Sequence, residues 1–307
     1  MVAMIDKTHH VPVLLKEVVD LLNLRPGSCV VDCTLGLAGH SQHIVKHISP
    51  NGFLIGIDRD ADSLAIAQEN LAQYAGHCAL MQKDFRYLDN VLDQLAIKEV
   101  DAFLFDLGVS SYQLDTPDRG FSIRNNGPLD MRMDRNSFIS AYDLINSLST
   151  DEISLILKNF GQERWHRRIA DCLVRERVKH PIESTEELKK IILNAVPRQQ
   201  QHQKIHPATR AFQAFRIAVN RELEALEAAL DKCIPYLRDG GRVAVISFHS
   251  LEDKIVKDKF HSFSKQGKIR ILTKKPLRPT DAEVTDNVRS RSARLRIAER
   301  IGKKEIE

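Results

Sequence analysis

Long apolar runs are missing from this chain of 307 residues. None approaches the roughly 20 residues needed to span a bilayer, which excludes a helical membrane protein. The N-terminus carries no signal-peptide pattern, because Asp6, Lys7, His9 and His10 interrupt any apolar core. Cysteine is scarce. The five (Cys29, Cys33, Cys78, Cys172 and Cys233) include no Cys-x-x-Cys pair, which argues against a disulfide framework and a structural zinc site. They read as reduced packing residues, with Cys29 and Cys33 on one face of a probable strand. No metal-ligand spacing is visible and no internal repeat occurs. The one low-complexity tract, Gln199-Gln200-Gln201, reads as an exposed loop. The expectation is a cytoplasmic enzyme of one large domain or two modest ones.

The composition is ordinary for a soluble globular protein, with 43% hydrophobic and 28% charged residues. Net charge is only +4, but it is unevenly spread. Lys254 to Lys304 holds 16 Lys and Arg against 5 Asp and Glu; Phe160 to Arg216 holds 12 against 6. A basic C-terminal third and a basic middle point to a polyanionic partner, most simply nucleic acid; the alternative is a solvated surface.

The most informative stretch is Val30-Val31-Asp32-Cys33-Thr34-Leu35-Gly36-Leu37-Ala38-Gly39-His40-Ser41. An apolar run stops at a glycine-rich bend and a helix-compatible segment follows, as in the first strand, turn and helix of a nucleotide-binding α/β unit. Gly36 and Gly39 would supply positive φ and close backbone approach. The helix start would aim unpaired N–H groups at a ligand. A second apolar run, Phe53–Ile57, ends in Asp58, about 20 residues downstream, where such folds hydrogen-bond ribose hydroxyls.

Around this unit the pattern predicts an entry loop and an amphipathic helix over His10–Leu22, a helix from about Gly39 to Ile48 and another from Ala61 to Tyr74 capped by Asp60 or Asp62. Strands are predicted at Phe53–Asp58, Ala79–Met81, Val100–Leu107 and Arg242–Ser247. Alternation of strands and helices implies a parallel sheet. It pauses from about Ser111 to Ile205, which reads as an inserted helical domain. One long helix is then predicted from Pro207 to about Leu237, ended by Asp239-Gly240-Gly241. Ser250-Leu251-Glu252-Asp253 has the form of a capping box. Segments near Ile269–Leu272 and Arg294–Ile297 would close the sheet as an antiparallel pair.

By Asp106-Leu107-Gly108-Val109-Ser110-Ser111 the chain resembles one family, the bacterial small-subunit ribosomal RNA methyltransferases that modify the N4 amine of a cytidine (the RsmH/MraW family). The matching segments include His10–Leu15, Gly36–His40, Ile57–Asp60, Arg119–Ser122, Gly127–Asp134, His206–Arg210, Ser247–Asp253 and Arg289–Ala293. The resemblance implies a class I S-adenosylmethionine (AdoMet) methyltransferase, a Rossmann-like α/β fold. Residues 1–110 and 206–307 would form the AdoMet-binding domain, and 111–205 an all-helical substrate-recognition insert. It implies small-subunit ribosomal RNA as partner, no membrane, and is compatible with a homodimer.

The resemblance also carries over site residues. Ala38, Gly39 and His40 would lie against the methionine moiety, Asp58 at the ribose and Phe85 at the adenine, with Asp106 and Gln113 completing the cofactor set. The family usually has glycine where this chain has Ala38; a methyl there is expected to be tolerated at negative φ. Tyr112 stands where proline is common.

Cytosine amine is a poor nucleophile, so transfer needs positioning and an acceptor for its N–H. Asp106 is the catalytic candidate for that acceptor. Asp130, Arg132 and Asp134 are candidate substrate contacts, against an internal salt-bridged turn. Thr209, Gln213, Arg216 and Asn220 share one helix face; they would line a cleft between domains or form a hydrogen-bond network joining them. His249 is a further substrate-side candidate, against a structural role. Tyr112, Phe121 and Trp165 are candidate stacking platforms for a flipped base, against plain core packing. Two other readings stay open. A nicotinamide-dependent oxidoreductase would use the same strand–glycine–Asp58 unit, although Gly36–Gly39 lacks GxGxxG spacing. A non-catalytic RNA-binding assembly factor would use only the basic segments.

Overall fold

The structure is a computed structural model that describes residues 12–197, 199 and 206–302. His10, Val11, Gln200 and Gln201 lie outside the described residues; Gln199 is exposed. The chain divides into two compact units, Met1–Gly108 with Leu223–Glu307, and Val109–Glu222.

The first unit is built on a sheet of seven strands. These are β1 (Cys29–Asp32), β2 (Phe53–Asp58), β3 (Cys78–Gln82), β4 (Val100–Asp106), β5 (Leu237–Ser247), β6 (Ile269–Ile271) and β7 (Arg294–Arg300). Their order is β3-β2-β1-β4-β5-β7-β6. Strands β1 to β5 run parallel; β7 is antiparallel to both β5 and β6. This is the class I methyltransferase arrangement that the resemblance implied. The period-two pattern explains how both faces are covered. Val31, Phe103, Phe105, Val243 and Val245 face one buried core, and Val30, Ala102, Leu104, Ala244 and Ile246 the other. Helices α1 (Leu15–Leu22), α2 (Gly39–Ile48) and α3 (Ala61–Asn70) bury Val18, Ile44 and Ala67 in the second of these cores. Helices α4 (Leu88–Gln94), α11 (Glu222–Tyr236) and α12 (Ser250–Lys265) bury Val91, Leu230 and Phe260 in the first. Strand order reverses between β1 and β4, so the crevice beyond their carboxyl ends is where such a sheet binds ligands.

The second unit is helical. It contains α5 (Ser111–Asp115), α6 (Ala141–Ser147), α7 (Thr150–Gly161), α8 (His166–Arg177), α9 (Thr185–Ala195) and α10 (Thr209–Asn220). They close over their own core, which includes Leu129, Ile145, Leu157, Leu173, Ile192 and Phe215.

Three expectations need correction. The second unit extends past 111–205, because α10 packs against α7 rather than belonging with 206–307. The single helix expected from Pro207 to Leu237 is two, broken at Arg221, whose φ of 49° is left-handed. The polar face of α10 has these partners inside the second unit. Gln213 donates to the Phe160 carbonyl, Arg216 grips Glu222 through two bonds, and Asn220 bonds the Met131 carbonyl and the Met133 N–H, all within the second unit. Finally, α12 is capped by His249, not Ser250.

No helix among the described residues is long and apolar enough to cross a membrane. No group of three or more His, Cys, Asp or Glu among them is placed to hold a metal ion.

Candidate active site

The sequence after β1 must leave the sheet and enter α2 within six residues, and its hydrogen bonds show how. Cys33 N–H donates to the Leu104 carbonyl and Leu35 N–H to the Ile57 carbonyl, so the chain is held between β4 and β2 as it exits. Gly36 then takes a φ of 51°, and its N–H donates to Asp58 Oδ2 at 2.7 Å. The second positive φ is not at Gly39 but at Ala38, at 66°, where the residue is fully buried. The condition set for tolerating a methyl at this position, a negative φ, is not met: Ala38 is left-handed, and its N–H bonds the Leu35 carbonyl at 2.7 Å. Gly39 is helical, and its lack of a side chain serves packing. A Cβ there would meet Pro12 Cγ at 2.8 Å.

Three carboxylates stand at the carboxyl ends of adjacent strands. Asp58, ending β2, accepts from Gly36 N–H and from Asp60 N–H at 2.8 Å. Burial raises its pKa, and those two backbone donors work against the rise. Asp32, ending β1, accepts from Ser41 Oγ at 2.7 Å and Thr34 N–H at 3.1 Å. Burial nonetheless pushes it up to about 6. Asp106, ending β4, has the least support. Its N–H donates to Thr34 Oγ1 at 2.6 Å, but its side-chain Oδ1 is buried without a hydrogen-bond partner. Burial, then the charges of Asp32 and Glu252, push Asp106 up to about 8. Its Oδ2 lies 3.5 Å from His40 Nδ1, while His40 Nε2 bonds the Val13 carbonyl at 3.0 Å.

Phe85 follows β3 in a short helical turn capped by Asp84, whose side chain accepts from Arg86 N–H. Its ring meets Phe105 edge-on at 5.8 Å, and the Arg59 guanidinium lies 5.6 Å from its centre. Thus Ala38, Gly39, His40, Asp58, Phe85 and Asp106 all sit on the carboxyl-end side of the sheet in the first unit. Gln113 belongs to the second unit, where its side chain accepts from Ser110 N–H in a reciprocal cap of α5.

The other named residues have structural partners. Arg132 grips both oxygens of Asp130 at 2.8 Å and donates to the Ser137 carbonyl at 2.8 Å. Burial opposes it, but the Arg132 hydrogen bonds hold the Asp130 carboxyl below the usual range. Asp134 accepts from Asn136 N–H. This is the internal salt-bridged turn. His249 Nδ1 accepts weakly from Glu252 N–H at 3.4 Å, and its Nε2 lies 3.1 Å from Glu252 Oε1. Phe121 is buried in the core of the second unit, so it is no stacking platform. Trp165 is half-buried beneath Arg164. Asp32, Thr34 and Glu252 shape the electrostatics at Asp106, and sequence reasoning assigned them no role. Asp32 had a visible signal, an acid closing an apolar run as Asp58 and Asp106 do.

A sheet-end cluster of this kind suits a cationic nucleotide-like ligand, and similarity to known proteins agrees. The model of the MraW methylase family matches residues 7–301. The chain belongs to the MraW methylase family. Among curated relatives, the Ribosomal RNA small subunit methyltransferase H of Geotalea uraniireducens is 48% identical, across 95% of this chain and 99% of that protein. The proteins of the same name from Geobacter sulfurreducens and Clostridioides difficile are 47% and 42% identical over the same shares. Members of the family use AdoMet, and the chain is an AdoMet-dependent methyltransferase. The nicotinamide and non-catalytic readings find no support.

Proposed function

We propose that this enzyme transfers a methyl group from AdoMet to the exocyclic N4 amine of a cytidine in small-subunit ribosomal RNA. Family membership and the relatives' names support the RNA class. The observation that carries the cofactor reading is Asp106 Oδ1, a buried carboxylate oxygen without a partner in an already acidic cluster. Such a group is stable beside a cation, and AdoMet carries an ammonium and a sulfonium.

The residues present fit that cofactor. The N–H groups at the start of α2, after Ala38 and from Gly39 and His40, suit the methionine carboxylate. Asp58 has acceptor capacity left for ribose hydroxyls after its two backbone bonds. Phe85 offers an aromatic wall for adenine. When bound, the cofactor supplies an electrophilic methyl group. The chain's own task is to hold the amine in line and to accept its N–H, and Asp106 is the candidate acceptor. Its other role, as counter-charge, favours the ground state over a transition state that loses positive charge. The basic second unit and C-terminal third would contact phosphates, and the target base would leave its stack. Asp130, Arg132, Asp134, Arg216 and His249 would then act by shaping the surfaces that meet RNA.

The test uses labelled AdoMet with isolated small subunits and with naked ribosomal RNA, followed by nucleoside analysis. N4-methylcytidine is expected. A different methylated nucleoside, or none in either substrate, overturns the reading.

A further inference from the structure

We infer that Glu283, far from the cofactor turn in sequence, is a positioning residue that latches the segment Pro12–Leu14 over the start of α2. The inference rests on the AdoMet reading above and deepens it. Pro12 presses on Gly39, whose Cβ position is 2.8 Å from Pro12 Cγ. The Val13 carbonyl accepts from His40 Nε2 at 3.0 Å, in a buried setting. This short segment therefore touches two of the residues placed at the methionine end of the cofactor. It also directs Nε2 of His40 away from Asp106, leaving Nδ1 on the carboxylate side.

The segment is held in a costly conformation. Leu14 has φ 54° and ψ 33°, is fully buried and is not glycine. A left-handed non-glycine residue persists only where its surroundings over-determine it. Leucine also brings no side-chain cap to α1, which starts at the next residue. Both needs are met from 269 positions away: Leu14 N–H donates to Glu283 Oε1 at 2.7 Å. Glu283 lies in the first turn of helix α13 (Asp281–Asp286), a turn fixed by Thr280, whose side chain accepts from Glu283 N–H. A carboxylate at the N-terminus of α1 is also favoured by that helix's dipole. The contacts run Glu283 to Leu14, Val13 to His40, and Pro12 to Gly39.

Glu283 needs only to accept one hydrogen bond at the right reach. Glu283→Gln should therefore serve, Glu283→Ala should not, and Glu283→Asp, one methylene short, should behave as Ala does. In the full chain, calorimetry should show AdoMet binding about tenfold weaker for Glu283→Ala, the loss expected when one part-buried hydrogen bond is removed. Amide hydrogen exchange at Gly39 to Gln42 should quicken in that variant with no ligand present. Turnover at saturating AdoMet and the KM for RNA should stay within about twofold. Glu283→Gln should restore both affinity and exchange protection. Should Glu283→Ala fail to fold, the contrast between Glu283→Gln and Glu283→Asp makes the same comparison. If wild-type protein takes up no AdoMet, the cofactor reading falls and this proposal with it. If it binds AdoMet but the Ala and Asp variants bind equally well, or Gln fails as Ala does, only the latch is overturned.

Discussion

Replacing Asp106 with asparagine should stabilise the ligand-free protein while weakening its hold on AdoMet. The folded chain raises the Asp106 carboxyl from 3.8 to about 8, through burial and the charges of Asp32 and Glu252. A carboxyl raised on folding contributes its full stability only below the unfolded value. That contribution is lost as pH climbs through the folded one, because the unfolded chain gives up its proton first. The window is thus pH 4 to about 8. Each tenfold change in proton affinity is worth about 1.4 kcal/mol, which would give roughly 6 kcal/mol for the whole span. The Asp106 side chain is still 22% exposed, and water there removes part of the cost. About 2–3 kcal/mol is the more reasonable expectation.

Asparagine keeps the shape and cannot ionise. Urea unfolding of the two proteins should coincide near pH 4 and diverge as pH rises, with Asp106→Asn ahead by that 2–3 kcal/mol above pH 8. Binding should move the other way. A cation that needs Asp106 ionised binds wild-type protein more tightly with rising pH, by up to about tenfold per pH unit below the folded pKa. The variant should lack that slope and bind about 10- to 100-fold more weakly at pH 8. Calorimetry on both proteins from pH 6 to 9 reads the difference, and the titration of the ligand's own amine cancels between them. Equal stability of the two proteins at pH 9, or parallel binding slopes, would refute the electrostatic account of this pocket.

Asp58→Ala should cost about 100-fold or more in AdoMet affinity, because Gly36 N–H and Asp60 N–H lose their acceptor together with any ribose contact; retained affinity in calorimetry would contradict this. Ala38→Val puts a branched side chain at φ 66° in a buried site and should destabilise by about 2 kcal/mol or more. Ala38→Gly should stay within about 0.5 kcal/mol, since relief of left-handed strain offsets lost methyl burial and added chain entropy; urea midpoints compare the two. Arg132→Ala should lower stability by about 1–3 kcal/mol by stranding Asp130 and the Ser137 carbonyl, with AdoMet affinity unchanged by calorimetry. RNA affinity should fall steeply from 50 to 200 mM salt, roughly a thousandfold if six phosphates are contacted; a flat response in filter binding would refute the basic footprint.

The cofactor half of the fold was legible because its signals are local. Helix Gly39–Ile48 and strand Phe53–Asp58 have the bounds read from apolar periodicity and the Pro50-Asn51-Gly52 turn. What the sequence hid was decided by distant partners. Nothing near Arg221 announces a break, since no glycine or proline is there; Asn220 is drawn off by Met131 and Met133, nearly 90 positions earlier. The apparent cap at Ser250 has its acid in Asp253, but that carboxylate is taken by Arg294 and Arg296 on β7. Glu252 is left to bond Phe248 N–H and His249 N–H, and the helix starts one residue earlier. The conformation of Ala38 was equally invisible, because an alanine gives no sign of positive φ.

The hydrogen bonds of the three strand-end acids also argue for a division of labour that residue type alone cannot show. Asp58 and Asp32 each accept at least two bonds from the protein, so their first task is to hold the Gly36 turn and the α2 start in place. Asp106 accepts none at Oδ1, although that oxygen is buried. A buried carboxylate without donors is a standing cost to the folded chain. On the proposed function a bound cation would offset that cost, and stability withheld from the ligand-free protein would reappear as affinity for a positively charged ligand.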